Sequence, residues 1–179
     1  MKATPTAIPD VLLLESSIHS DTRGFFWENF NQRDFNNVTG TNHSFVQDNH
    51  SRSKKGVLRG LHYQIDRPQG KLLRVVRGSV FDVAVDIRPA SITFGNWIGV
   101  EMNEHEARQL WVPPGFAHGF LVLSESADYL YKTTDYYAPE LERCIAWNDL
   151  QLAIDWPLTG EPILSVKDLA GKAFKDAQF

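Results

Sequence analysis

The stretch "SVFDVAVDIRP", residues 79–89, alternates its side chains with a period of two. Its odd-numbered positions from Phe81 to Ile87 are apolar, while the other series contains Asp82 and Asp86. Successive side chains of a β-strand point to opposite faces of the sheet, so this alternation predicts a strand rather than a helix.

Other short β-prone runs follow the same rule. They lie at 71–77, 97–102, 119–123, 127–134 and 144–147. Turn-forming stretches such as "DRPQG" (66–70) and "PPG" (113–115) separate them. Many short strands without long alternating helices predict an all-β, antiparallel sandwich or barrel.

Helices are predicted to be few and short. One covers "NQRDFNN" at 31–37 and ends near Gly40, and the other covers 165–177 with Ser165 as its N-cap. At 179 residues the chain suits one domain, residues 1–179.

Composition narrows the function classes. A net charge of −4 argues against binding to nucleic acid or to an anionic membrane surface. Cys144 is the single cysteine, which excludes an intrachain disulfide and fits a reducing compartment. The apolar run "VLLL" (11–14) is too short for a signal or membrane-spanning segment. We therefore expect a cytoplasmic protein.

The segment "RGLHYQ", residues 59–64, places three polar side chains in a β-prone stretch. Strict alternation would put Arg59 and His62 on opposite faces. They could share a pocket only if the strand bends, and Gly60 between them would tolerate a bulge. The segment alone is equally compatible with unrelated polar side chains at a sheet edge.

The segment "PPGFAHGF", residues 113–120, contains the pattern P-x-G-x-x-H of the second motif of cupins, which are small jelly-roll barrels. Metal-binding cupins carry H-x-H and a glutamate in their first motif, whereas here Gln64 follows His62. Two imidazoles from separate strands without a carboxylate make a poor metal site. We expect no bound metal, and His50 in "QDNHS" is the one other residue that could complete such a site.

Two other features have ordinary structural interpretations. "SVKD" places Asp168 at the third position of a capping box, and this spacing alone favours a cap over a catalytic role. Tyr129 and Tyr131 share one strand face, a spacing typical of packing.

No glycine-rich phosphate loop is present. Any bound phosphate would be held by side-chain cations such as Arg23, Arg59 and Lys71.

Taken in order, seven segments resemble the dTDP-4-dehydrorhamnose 3,5-epimerase family. They cover most of the chain between residues 4 and 168. The segments are "DTRGFFWENF" (21–30), "FVQDNHSRSKKGVLRGLHYQ" (45–64), "QGKLLRVVRGSVFDVAVDIR" (69–88), "PPGFAHGF" (113–120), "YLYKTTDYYAP" (129–139), "WND" (147–149) and "LSVKD" (164–168).

This resemblance implies a cupin jelly-roll that needs neither metal nor cofactor. It also implies a homodimer whose N-terminal strands join the partner's sheet. The expected activity is epimerisation at C3 and C5 of a dTDP-4-keto-6-deoxy sugar, in dTDP-L-rhamnose synthesis. No nucleic acid or membrane partner is expected.

The resemblance also implies residue roles. His62 matches the general base, Asp168 the carboxylate that orients it, and Tyr131 the general acid. Lys71 and Arg59 match residues near the sugar carbonyl and the diphosphate. Tyr137 matches a tyrosine that stacks on the thymine. The other matched substrate-site positions are Arg23, Glu28, Gln47, Asp48, Asn49, His118, Glu142 and Lys167.

Three alternatives remain open. The chain could be a related dTDP-4-keto-sugar epimerase that acts on one centre, or a ketoisomerase. It could be a non-catalytic jelly-roll module that binds sugar nucleotides. A metal-dependent cupin enzyme is the third. Product analysis, solvent deuterium uptake and a chelator test respectively distinguish them.

Overall fold

A computed structural model describes residues 1–179 as two antiparallel sheets that enclose a common core. The strands are β1 (Lys2–Pro5), β2 (Leu12–Glu15), β3 (His19–Asp21), β4 (Gly24–Phe26), β5 (Gln47–Lys54), β6 (Leu58–Gln64), β7 (Lys71–Arg77), β8 (Ser79–Asp86), β9 (Trp97–Asn103), β10 (Arg108–Val112), β11 (Phe116–Val122), β12 (Ser126–Thr133) and β13 (Glu142–Cys144). The helices are α1 (Gln32–Thr39) and α2 (Val166–Leu169), and a 3-10 turn covers Phe174–Asp176.

The larger sheet has the order β1-β2-β10-β7-β12-β5, and the smaller one β13-β6-β11-β8-β9. Neighbours in each sheet are mostly distant in sequence, so the chain crosses repeatedly between the two sheets. This is the jelly-roll arrangement, and the predicted all-β fold is confirmed. No helix is long or apolar enough to cross a membrane.

Strand β8 is buried on both faces. Val83 and Val85 pack outward under the C-terminal segment, with Trp156 and Phe174 in the same cluster. The opposite face, which the sequence marks as polar, turns into the space between the sheets. Asp82 there is completely buried, with 0% of its surface exposed. A buried carboxylate needs partners, and the site described below supplies them.

Strand β6 contains a bulge at Gly60, the position at which the sequence would tolerate one. His62 pairs with His118 and Arg59 pairs with Phe120, so two residues of β6 lie opposite Gly119. Gly60 has a φ of 131°, and a Cβ atom there would lie 2.5 Å from the Cα of Gly119. The bulge breaks strict alternation and brings Arg59 and His62 to one cavity.

The helix α1 agrees with its prediction, with Asn31 as N-cap and Gly40 as C-cap at a φ of 68°. The prediction of one helix over 165–177 is wrong. Helix α2 ends at Leu169, after which Lys172 exchanges main-chain hydrogen bonds with β13 and its extension, at 3.0 Å to Cys144 and 2.8 Å from Ala146. The helix ends early because the main chain then pairs with the strand at the edge of the smaller sheet.

The hairpin formed by β3 and β4 is a separate two-stranded sheet. Phe25 and Phe26 at its end are 71% and 70% exposed. At the far edge of the larger sheet, β5 pairs only with β12. One chain therefore leaves an apolar hairpin and a strand edge without partners.

Replacement of Gly60 by alanine is expected to lower the free energy of unfolding by at least about 2 kcal/mol, because the methyl group meets the main chain of β11 at a strained φ. Urea denaturation measures the change. Gly160→Ala is the matched control, since no atom lies within 4 Å of its Cβ position, and it is expected to stay within about 0.5 kcal/mol of the parent. Equal stabilities of the two variants would contradict the close approach.

Candidate active site

A cavity of about 610 Å³ opens between the two sheets. It is lined by side chains of β5, β6, β7, β11, β12 and β13 and by the segment that leads into α2. Most residues singled out from the sequence line it. These are Gln47, Asn49, Arg59, His62, Lys71, His118, Tyr131, Tyr137, Glu142, Lys167 and Asp168.

Three residues singled out from the sequence do not reach this cavity within one chain. Asp48 alternates outward on β5, where it pairs with Lys132 at 3.0 Å. Arg23 lies in the turn of the β3–β4 hairpin and binds Asp21 at 2.5 Å. Glu28 follows the hairpin and is exposed. The expectation that Asp48 lines the cavity is wrong for the single chain, because strand alternation turns its side chain outward. The positions of Arg23 and Glu28 depend on where the hairpin lies.

His62 and Asp168 form a close pair at one wall of the cavity. The Nε2 atom of His62 lies 2.8 Å from Oδ1 of Asp168, in a short contact that is bent from the ideal hydrogen-bond direction. The main-chain N–H of Gly60 donates to the same oxygen at 3.0 Å. Burial alone would raise the pKa of Asp168, but its contacts with His62, Ser165 and Gly60 together hold that pKa well below the usual range. The carboxylate therefore stays ionised.

The second oxygen of Asp168 caps α2. Oδ2 accepts the hydroxyl of Ser165 at 2.6 Å and its main-chain N–H at 3.1 Å, which completes the predicted capping box. The predicted cap is thus confirmed, and it uses a different oxygen from the one that contacts His62. Ser165 fixes the carboxylate that contacts His62, a positioning role that spacing alone did not reveal.

Tyr131 projects from the opposite wall. It lies on β12 in the larger sheet, whereas His62 lies on β6 in the smaller one. Burial raises the pKa of the Tyr131 phenol, and the nearby Arg59 guanidinium opposes this effect. The phenol is therefore protonated near neutral pH and can donate a proton.

Lys71 supplies a buried cation. Its side chain is on β7, the residue is 8% exposed, and Nζ donates to the main-chain oxygen of His62 at 3.3 Å. Burial lowers the pKa of Lys71 from 10.5 to about 8, against the opposing effect of the Asp82 and Glu142 carboxylates. An ammonium group in a poorly solvated cavity interacts strongly with any negative charge that develops there.

Asp82, His118 and Tyr129 form a buried hydrogen-bonded group, in which His118 and Tyr129 line the cavity and Asp82 lies behind them. Nε2 of His118 lies 2.9 Å from Oδ1 of Asp82, and the Tyr129 hydroxyl donates to Oδ2. Burial lowers the pKa of His118 and raises that of Tyr129 well above its usual value. Both side chains are thus neutral near pH 7. The sequence reasoning did not assign Asp82 or Tyr129 to the site, although Asp82 on the polar face of an otherwise apolar strand was the available signal.

The outer part of the cavity contains Tyr137, Glu142 and Lys167. Glu142 accepts the Tyr137 hydroxyl at 2.9 Å and Lys167 Nζ at 2.6 Å. Burial would raise the pKa of Glu142, but Lys167 and Tyr137 lower it overall. Tyr137 is half exposed, so its ring offers an aromatic surface beside a cation and an anion.

Gln64 fastens the loop that carries Tyr137. Its Oε1 accepts the main-chain N–H of Ala138 at 2.8 Å, and its Nε2 donates to the main-chain oxygen of Arg67 at 2.9 Å. The residue that stands where metal-binding cupins carry a ligand therefore has both amide atoms engaged by main chain.

Comparisons with known proteins agree with this geometry. The family model described as dTDP-4-dehydrorhamnose 3,5-epimerase matches residues 5–176. The chain belongs to this family. The dTDP-4-dehydrorhamnose 3,5-epimerase of Pseudomonas aeruginosa is 62% identical over 177 residues, which are 99% of this chain and 98% of that protein.

Solved structures of family members superpose closely. The dTDP-6-deoxy-D-glucose-3,5-epimerase of Legionella pneumophila, in complex with dTDP-4-keto-L-rhamnose, gives a TM-score of 0.96 at 52% identity and covers 99% of this chain and 94% of its own. A 3'-monoepimerase of Streptomyces bikiniensis, in complex with dTDP-quinovose, gives 0.90 at 35% identity, with 98% and 88% covered.

Replacement of Lys71 by methionine is expected to stabilise the protein at pH 7 while it reduces turnover. The depression of the lysine pKa from 10.5 to about 8 corresponds to about 3 kcal/mol of lost stability when the side chain is charged. This penalty is complete below pH 8 and disappears by pH 10.5. The stability advantage of Lys71→Met over the parent should follow the same course in urea denaturation.

Lys132→Met is the control for this measurement, because Lys132 pairs with Asp48 at the outer surface of the same sheet. We expect it to change stability by less than about 1 kcal/mol at either pH. A Lys71→Met variant that is less stable than the parent at pH 7 would show that the buried ammonium stabilises the fold.

Proposed function

We propose that the protein epimerises C3 and C5 of dTDP-4-dehydro-6-deoxy-D-glucose to give dTDP-4-dehydro-L-rhamnose, in dTDP-L-rhamnose biosynthesis. One observation carries the proposal: the His62–Asp168 pair and Tyr131 lie on opposite walls of one cavity. Membership of the family and the Legionella pneumophila complex with dTDP-4-keto-L-rhamnose support the choice of substrate.

The chemistry of the substrate fits these walls. A ketone at C4 makes the hydrogens on both C3 and C5 α to a carbonyl, so inversion needs proton transfer and no redox step. His62 removes a proton from one face and leaves an enolate. Tyr131 then returns a proton to the other face. Asp168 holds the ring of His62 and stabilises the imidazolium that forms.

Proton transfer alone cannot supply the rate. An α-proton lies about 12 pK units above a histidine, which amounts to about 16 kcal/mol. General base catalysis contributes only about 10²–10⁴-fold. The remainder must come from stabilisation of the enolate oxygen by positioned cations and donors. Lys71, which is buried beside His62, suits this task, with Arg59 nearby in the same cavity.

The outer part of the cavity suits the nucleotide. The half-exposed Tyr137 ring offers a face on which thymine can stack, and Lys167 lies beside it. Gln47, Asn49 and His118 add neutral polar groups along the walls. A volume of about 610 Å³ lies within the usual range for a bound small molecule of about 300–1,000 Å³.

We also propose that the protein works as a homodimer. The exposed aromatic end of the β3–β4 hairpin and the unpaired edge of β5 can satisfy each other in a second copy. Gln47 and Asn49 of β5 line the cavity, so a hairpin added at this edge brings Arg23 and Glu28 of the partner toward the substrate. We place this single domain, residues 1–179, in the cytoplasm, where a lone cysteine stays reduced.

A one-centre epimerase is the second candidate. The 3'-monoepimerase of Streptomyces bikiniensis shares the fold with a TM-score of 0.90, so the architecture serves both reactions. The identity of 35% to that protein, against 62% to the 3,5-epimerase of Pseudomonas aeruginosa, favours inversion at both centres. Product analysis by NMR distinguishes a sugar inverted at C3 alone from the L-rhamno product.

Deuterium uptake from D₂O is expected to separate the base from the acid. His62→Ala cannot form the enolate, so solvent exchange and inversion should fall together by about 10²–10⁴-fold. Tyr131→Phe retains the base, so label should enter C3 or C5 with retained configuration while inversion falls much further than exchange. Both quantities are read by NMR. Exchange at the parental rate in His62→Ala, or inversion at that rate in Tyr131→Phe, would refute the role assignment.

Hybrid dimers are expected to recover activity. His62→Ala and Arg23→Ala are each inactive or weak alone, but a mixed dimer contains one site with both native residues if Arg23 acts in the partner's cavity. Activity should rise after subunit exchange, up to about a quarter of the parental value for random mixing. Light scattering verifies the dimer, and His62→Ala mixed with itself is the control. Full exchange without recovery would assign both residues to one chain's site.

A further inference from the structure

Cys144 lies beside the catalytic pair, although the proposed reaction does not use it. Strand β13 pairs with β6 so that Cys144 is directly opposite His62. Leu61 and Ile145 next to them exchange both main-chain hydrogen bonds, at 3.1 and 3.0 Å. His62 and Cys144 therefore occupy the adjacent non-hydrogen-bonded position, where facing side chains approach most closely.

Three different potential ligand atoms meet at this point. The thiol of Cys144, the ring of His62 and the carboxylate of Asp168 each offer one atom, and these atoms all lie within 4.8 Å of one another. Ligands of a tetrahedral zinc ion are about 3.3–3.8 Å apart, given metal–ligand bonds of about 2.0–2.3 Å. Side-chain rotations that bring the thiol about one ångström closer and widen the 2.8 Å contact of His62 with Asp168 by about half an ångström would therefore reach coordination distance.

We propose that His62, Cys144 and Asp168 form an inhibitory binding site for a soft divalent cation, Zn²⁺ in particular. Sulfur, imidazole and carboxylate are the donors that zinc prefers, whereas Mg²⁺ and Ca²⁺ favour oxygen ligands alone. Three protein ligands leave the fourth tetrahedral position for water. Inhibition rests on the proposed role of His62 as base, but binding of the ion does not.

The ligands are available without loss of the fold. The thiol of Cys144 makes a weak contact of 3.5 Å with the main-chain oxygen of Ile145 and binds no other side chain. Asp168 would offer Oδ1, which contacts His62, while Oδ2 continues to cap α2 through Ser165. Helix α2 can therefore stay in place when the ion binds.

The charges around the thiol favour a cation. The carboxylates of Asp168 and Glu142 both lie near the thiol. Binding releases the thiol proton to solvent as the Zn–S bond forms. Two positive charges then replace one proton beside these carboxylates.

Zinc bound at this point would inhibit the reaction because it occupies His62. In neutral His62, Nε2 would pass to the metal, and the ring proton would move to Nδ1. The nitrogen that does not face Asp168 then carries a proton and cannot accept one from the sugar. The ion also separates His62 from the carboxylate that orients it. The protein should therefore be fully active after treatment with a chelator and lose activity when zinc is added.

Cadmium provides a direct probe of the thiolate. Chelator-treated protein is titrated with Cd²⁺ in the absence of substrate, and the ultraviolet sulfur-to-cadmium charge-transfer band is recorded. We expect one ion per chain in the parent and no band in Cys144→Ser, whose hydroxyl is a poor ligand for a soft ion. Zn²⁺ is then titrated against epimerase activity. We expect Cys144→Ser to retain turnover and to need at least about tenfold more Zn²⁺ for half-inhibition, and Mg²⁺ to have no effect.

His105→Ala is the control for adventitious binding, because His105 is exposed between Glu104 and Glu106. It should behave like the parent in both titrations. Absence of the cadmium band in the parent, or equal zinc sensitivity of the parent and Cys144→Ser, would overturn the inference. A band without inhibition would overturn the inhibitory role. Failure of the proposed function gives a different result, namely no epimerase activity in the chelator-treated parent, with the band still present.

Discussion

The carboxylate of Asp168, whose two oxygens bind different partners, is the group on which the rest of the site depends. One oxygen caps the N-terminus of α2 through Ser165, and the other meets the main chain of Gly60 and the ring of His62. A helix cap, a strand bulge and the proposed base are thereby held by one side chain. Because four donors surround it, the buried carboxylate remains charged, and its charge is available to an imidazolium.

The two sheets have different tasks. The smaller sheet carries His62, and the larger sheet carries Tyr131 and Lys71. In the proposed reaction, a planar sugar intermediate placed between them would meet His62 on one face and Tyr131 on the other. A jelly-roll suits inversion because its two inner faces are rigid and fixed in separation by the apolar core beyond the cavity.

This polar interior costs stability. Lys71 and Asp82 sit where apolar side chains would pack more favourably, and both are kept by hydrogen bonds or by nearby opposite charge. The fold tolerates this loss of stability because the other end of the barrel and the outer face of β8 are apolar and well packed. The hairpin with Phe25 and Phe26 carries a similar cost in one chain, since its apolar end is exposed.

The sequence by itself determined the all-β class, the strands β7, β8, β9, β11, β12 and β13 and the cap at Ser165, because these follow from local periodicity and main-chain conformation. It marked Gly60 only as a position that would tolerate a bulge. The long family segments identified His62, Tyr131 and Asp168. Only the tertiary structure decided which face of β8 is interior, that Asp48 points outward, and that Cys144 stands opposite His62. These depend on strand register and on what covers each sheet, which are contacts between residues far apart in the chain. The length of α2 was decided in the same way, by pairing of Lys172 with a distant strand.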